Sequence, residues 1–106
     1  MPERPKPPAT YRAFIDRFPE LGAAWERARV AEEEAPFDEA TRRLLKLAVA
    51  VGNLREGAVH SAVRKARAAG ATEEQIYGVV ALAASTLGFP SAVAVFSWVA
   101  DELSGD

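Results

Sequence analysis

Between Val79 and Ala100 the chain runs through two stretches without a charged residue, 79–87 and 92–100, divided by Gly88-Phe89-Pro90. A surface helix keeps a polar face, so segments apolar on every side must be covered on more than one side. The punctuation between them sets the element type, because glycine ends a helix and proline opens the next. Nowhere does an apolar–polar alternation persist between turn signals, so no sheet is expected. The class is all-α. A chain of 106 residues has too little mass to bury two helices all round, which predicts that part of this surface meets another copy of the chain.

The remaining helices follow from spacing and caps. Four prolines among residues 1–8 predict a flexible arm there, with one domain over residues 9–106. Thr10 is placed to cap a short helix through Phe18, and Pro19 opens a second that ends near Glu34, before Pro36. Asp38 is the expected N-cap of a third helix reaching about Val51, with Leu44, Leu45, Leu47, Ala48 and Val51 as its buried stripe and Gly52-Asn53 breaking it. A fourth should run from about Arg55 to Ala69 on a stripe of Val59, Val63 and Ala66, ending at Gly70. Thr72 and Gln75 form a capping box for the fifth. The sixth, from Pro90, continues to about Leu103. Trp25, Trp98, Phe14, Phe18 and Phe96 are read as core.

Composition removes several functions. Apolar residues make up 49% and charged residues 26%, ordinary for a globular chain. With 13 basic and 15 acidic residues and no basic cluster, nucleic acid is not an expected partner. Zero cysteines exclude disulfides, thiolate metal sites and a thiol nucleophile. One histidine with scattered carboxylates does not make a transition-metal ligand set, and no cofactor is implied. No apolar helix expected here reaches the ~18 to 20 residues of a membrane span. The start is not a secretory signal, and a cytoplasmic location is the default expectation.

One group of side chains can carry chemistry. Glu56 and His60 are four apart and share a helix face, which Arg64 and Arg67 extend along the border of the apolar stripe. Histidine is the side-chain type that titrates near neutrality, a neighbouring glutamate can set its tautomer or take a proton, and an arginine can hold a carboxylate. The same spacing also fits an exposed ladder of ion pairs with no chemistry, each worth a few tenths of a kcal/mol.

Thr41-Arg42 opening a helix, Leu47-Ala48-Val49-Ala50, the run Ala69-Gly70-Ala71-Thr72-Glu73-Glu74-Gln75-Ile76, and Gly88-Phe89-Pro90 occur here in order. From about Phe37 to Leu103, the chain resembles the carboxymuconolactone decarboxylase and alkylhydroperoxidase D-like superfamily. The resemblance implies a bundle of about six helices around a central antiparallel pair, assembling into trimers or hexamers. Its peroxidase branch uses a Cys-x-x-Cys pair, a His four residues later and an upstream Glu, which this chain cannot do without cysteine. Its decarboxylase branch acts on a carboxylated lactone, with Glu and His of one helix as the suspected proton-transfer groups. Counted without gaps from Gly70-Ala71-Thr72, the family His falls on Ala62, the two Cys on Arg55 and Ala58, and the Glu near Arg43.

The expectation is a cysteine-free lyase that decarboxylates or isomerises a small anionic compound. His60 would be the acid or base, Glu56 its orienting group, and Arg55 or Arg64 the anion anchor. The alternative from another class is a non-catalytic ligand-binding or assembly module on the same scaffold.

Overall fold

The computed structural model describes residues 8–105 and contains six helices: α1 (Pro8–Arg17), α2 (Pro19–Glu33), α3 (Glu39–Asn53), α4 (Glu56–Ala68), α5 (Glu73–Leu87) and α6 (Phe89–Ser104). The described residues include no strand, so the all-α reading holds. The arm expected over residues 1–8 lies outside the described residues except for Pro8. That proline opens α1, and Thr10 therefore sits inside the helix instead of capping it.

The chain forms two compact units, Met1–Pro36 and Phe37–Asp106. In the first, α1 packs on α2. Gly22 is what permits the approach, since a Cβ there would meet Ile15 Cγ2 at 2.8 Å. The Phe14 and Phe18 rings tilt against each other at 5.3 Å. Phe14, Phe18 and Trp25 remain about half exposed, so the expectation that they form a core fails. Their helical spacing gives them a shared face, but a two-helix unit is too thin to enclose it.

The second unit holds the core. α3 packs on α4 and α5, and α6 packs on α4 and α5. Leu47, Val51, Val59, Val63, Ile76, Val95 and Val99 are fully enclosed there. The α4 stripe is the one the spacing predicts. The α3 stripe is rotated: Leu47, Ala50 and Val51 are buried, whereas Leu45 and Ala48 are exposed. α3 also runs through Gly52 and stops at Leu54, whose φ of 55° is left-handed. Gly52 meets nothing within 4 Å where a side chain would stand, so it costs the helix only its propensity, about 1 kcal/mol, and does not break it.

The caps match their chemistry. Asp38 accepts from the Thr41 backbone N–H at 2.8 Å. That bond, with a second contribution from the Thr41 side chain, holds the Asp38 carboxyl below the usual carboxylate range. The cap is therefore in place above that range and is lost as pH falls through the lowered value. At the end of α4, Gly70 (φ 99°) lets Ala71 N–H reach Ala66 O and Gly70 N–H reach Arg67 O, a Schellman closure. The Thr72–Gln75 box is reciprocal, with bonds of 2.9 and 3.0 Å. Thr72→Ala should cost about 1 kcal/mol, read as a lower denaturant midpoint with unchanged slope.

Candidate functional site

α4 carries His60 on the border of its buried stripe, where α6 passes alongside. Its Nδ1–H donates to Glu102 Oε2 at 2.7 Å, and the same carboxylate oxygen accepts from Arg64 Nη1 at 2.8 Å. Nε2 faces Glu56 Oε2 at 3.3 Å. Only 14% of the His60 side chain and 19% of that of Glu102 remain exposed, against 59% for Glu56. The two contacts therefore differ in kind. The Glu102 bond is short and enclosed, which holds the ring in one orientation and keeps the Nδ1 proton in place. The Glu56 contact is long and open to solvent, so Nε2 is the nitrogen at which a proton can enter or leave.

Glu56, His60 and Arg64 thus come together as their spacing predicts. Arg67 completes the edge by donating to the Glu102 carbonyl at 3.4 Å, which satisfies one of the carbonyls left over in the last turn of α6. Arg55 stands apart. It is the exposed residue before α4, and no side-chain bond ties it to another described residue.

Glu102 is the member that sequence reasoning missed. The signal was present, because Asp101 and Glu102 are the two charges of α6, and a half-buried carboxylate needs a partner. Which helix supplies that partner depends on how α6 lies on α4, and helical periodicity does not contain that information.

A second feature lies on another side of α4. A cleft of about 200 Å³ opens between α3, through Arg43, Lys46 and Ala50, and α4, through Ala58, Ser61, Ala62 and Lys65. None of Arg55, Glu56, His60 or Arg64 lines it. Among the described residues, no group of three or more His, Cys, Asp or Glu is placed to hold a metal ion.

The model of the carboxymuconolactone decarboxylase family matches residues 19–101. The chain belongs to this family. The match extends N-terminal of Phe37, where the motif resemblance starts, and takes in α2. No curated protein and no solved structure matches the chain. Within the family this member has no cysteine, so the thiol-based peroxidase chemistry is closed to it. Ala58 and Ala62, on which the ungapped count puts the second Cys and the His that the resemblance implies, line the α3–α4 cleft together with Arg43, near which it puts the Glu. Ala62 is half-buried at that cleft, outside the enclosed stripe.

Proposed function

We propose that this family member is a non-redox lyase acting on a small carboxylated, lactone-like compound by proton transfer at His60. The observation that carries the reading is the unequal engagement of the imidazole, with Nδ1 locked by Glu102 and Nε2 facing the solvent-exposed Glu56. A base whose far nitrogen is anchored by a carboxylate while its near nitrogen stays accessible is the arrangement proton-transfer enzymes use. In a decarboxylation, the bond from carbon to the carboxylate breaks and CO₂ leaves. The electron pair passes into the conjugated lactone carbonyl, and the carbanion takes the proton from Nε2. Glu56 then returns a proton from solvent to the ring. Arg64, half exposed and four residues along the same edge, and Arg55 at the helix start supply guanidinium groups for the substrate anion.

The test is CO₂ release, or an absorbance change on isomerisation, with carboxymuconolactone and related carboxylated lactones as substrates. Turnover that is the same in the native protein and in His60→Gln would sink the assignment.

One observation favours the second reading, in which the site is non-catalytic. Both ring nitrogens already have carboxylate partners within the chain, so His60 can serve as a clamp joining α4 to α6. In that case His60→Gln lowers the melting temperature and changes no reaction.

Self-association belongs to the same proposal, and a cytoplasmic site of action with it. Phe89, Val93 and Phe96 follow one another at helical spacing on α6, and Leu82 of α5 is 83% and Phe89 79% exposed. Contiguous apolar surface of this kind marks an interface. Among the described residues no helix is long and apolar enough to cross a membrane, which leaves a second copy of the chain as the natural cover. Light scattering at micromolar concentration should return three or six times the 11.4 kDa of one chain. A monomeric mass would remove this part of the proposal.

A further inference from the structure

We infer that α1 and α2 pair with the same two helices of a second copy of the chain, through an aromatic face that the first unit leaves open. Ile15 of α1 meets α2 at Gly22, and this contact fixes which residues stand beside it. At about 100° per residue, Tyr11, Phe14 and Phe18 all fall within about 100° on one side of Ile15. Leu21 and Trp25 fall within about 100° of Gly22, on the same side of the corner that the two helices make. The five side chains form one face across both helices, and each remains 46–55% exposed. Arg12 and Asp16 of α1 and Glu26 of α2 fall on the opposite side, so no charge interrupts the aromatic stretch.

Such a face needs a cover. α1 has 10 residues, and a helix this short is marginal in water unless its apolar side is packed. Tyr11, Phe14 and Phe18 precede residue 19, where the family match begins. Most of the face therefore lies outside the segment that this chain shares with the family.

Charge and area select a second copy as that cover. Residues 8–33 hold four basic and five acidic side chains, a balance that neither recruits an anionic lipid surface nor steers a strongly charged protein, and that sets up no net repulsion when the surface meets itself. A whole aromatic side chain buries roughly 150–250 Å². The half left open on each of the four rings, with Leu21, comes to about 500 Å² per copy and about 1,000 Å² for the pair, which is where specific interfaces begin. The pairing is distinct from the α5–α6 surface. Being two-fold, with the same patch on both copies, it doubles whatever assembly that surface builds.

Light scattering of the full chain and acrylamide quenching of Trp25, read in a Trp98→Phe background where Trp25 is the one remaining tryptophan, test the pairing together. Trp25 should be shielded in the assembled chain. Leu21→Glu should halve the mass and open Trp25 to the quencher, and Phe14→Ser, on the other helix, should repeat both changes. Val30→Glu, at an equally exposed apolar residue on the opposite side of α2, should leave mass and quenching as they were. Circular dichroism reports whether each variant keeps its helices. Leu82→Glu combined with Phe89→Glu removes the α5–α6 surface and should leave a dimer, twice the 11.4 kDa of one chain, with Trp25 still shielded, so the two interfaces fail separately. An unchanged mass in the folded Leu21 and Phe14 variants would overturn the inference. So would a Trp25 open to quencher in the native assembly, which would reserve the face for a different partner, or one shielded in a monomer, which would place a segment of the same chain there.

Discussion

His60→Gln is expected to slow turnover of a carboxylated lactone by about 10²- to 10⁴-fold, the range contributed by a positioned general acid or base. Glutamine preserves much of the size of the ring and can still hydrogen-bond Glu102, so the packing of α4 against α6 survives while the titrating group is lost. The fall should appear in kcat and kcat/KM alike, because proton donation is an interaction of the transition state and not of the bound substrate. Glu102→Gln gives the complementary result. It leaves the imidazole present but replaces the carboxylate shared by Nδ1–H and Arg64 with a neutral amide, so activity should drop by less than in His60→Gln with KM little changed. Glu56→Gln should have a smaller effect again, since that contact is the longer and more exposed one. A His60→Gln protein that turns over substrate normally, or one that loses its fold instead of its rate, would contradict the assignment and favour the clamp.

The order of these effects depends on Glu102, and it shows where sequence reading stops. Residues close in the chain announced themselves: the Glu56–His60 pair follows from helical spacing, the Thr72–Gln75 box from its four-residue signature, and the Gly70 closure from the need for a left-handed residue. Each is a contact within one or two turns, where local geometry is enough. Glu102 reaches His60 across 42 positions, and the cleft sets Arg43 against Lys65 across a helical hairpin. Both depend on how one helix is rotated against another, which a single amphipathic pattern leaves open when its stripe is broad. The same freedom accounts for Leu45. On α3 the run Leu44-Leu45-Lys46-Leu47-Ala48 offers two adjacent stripes of nearly equal apolarity, and packing against α4 and α5 selects the one containing Leu47, Ala50 and Val51. The exposed aromatics of the first unit have a related origin, because spacing shows which side chains share a face and is silent about what covers them.

Leu47→Ala and Leu45→Ala, made separately, turn that selection into a measurement. Leu47 is fully enclosed within the cluster that includes Val51, Val59 and Val63, so truncating it leaves a void that neighbours on three helices cannot collapse into, costing about 2–5 kcal/mol. For a domain of this size, each kcal/mol moves the melting temperature by about 4–8 °C. A drop of about 10 °C or more is therefore expected, with loss of the folded state if the native margin lies at the low end of the usual ~5–15 kcal/mol. Leu45, 45% exposed, loses the same atoms but already shares much of its surface with solvent, and should change stability by about 0.5 kcal/mol or less. Leu45 and Leu47 lie two positions apart on one continuous helix and would otherwise be interchangeable in propensity and hydropathy. Equal destabilisation by the two substitutions would mean that α3 presents a different face to α4. The cleft, whose α3 wall is built from Arg43, Lys46 and Ala50, would then be lined by other residues.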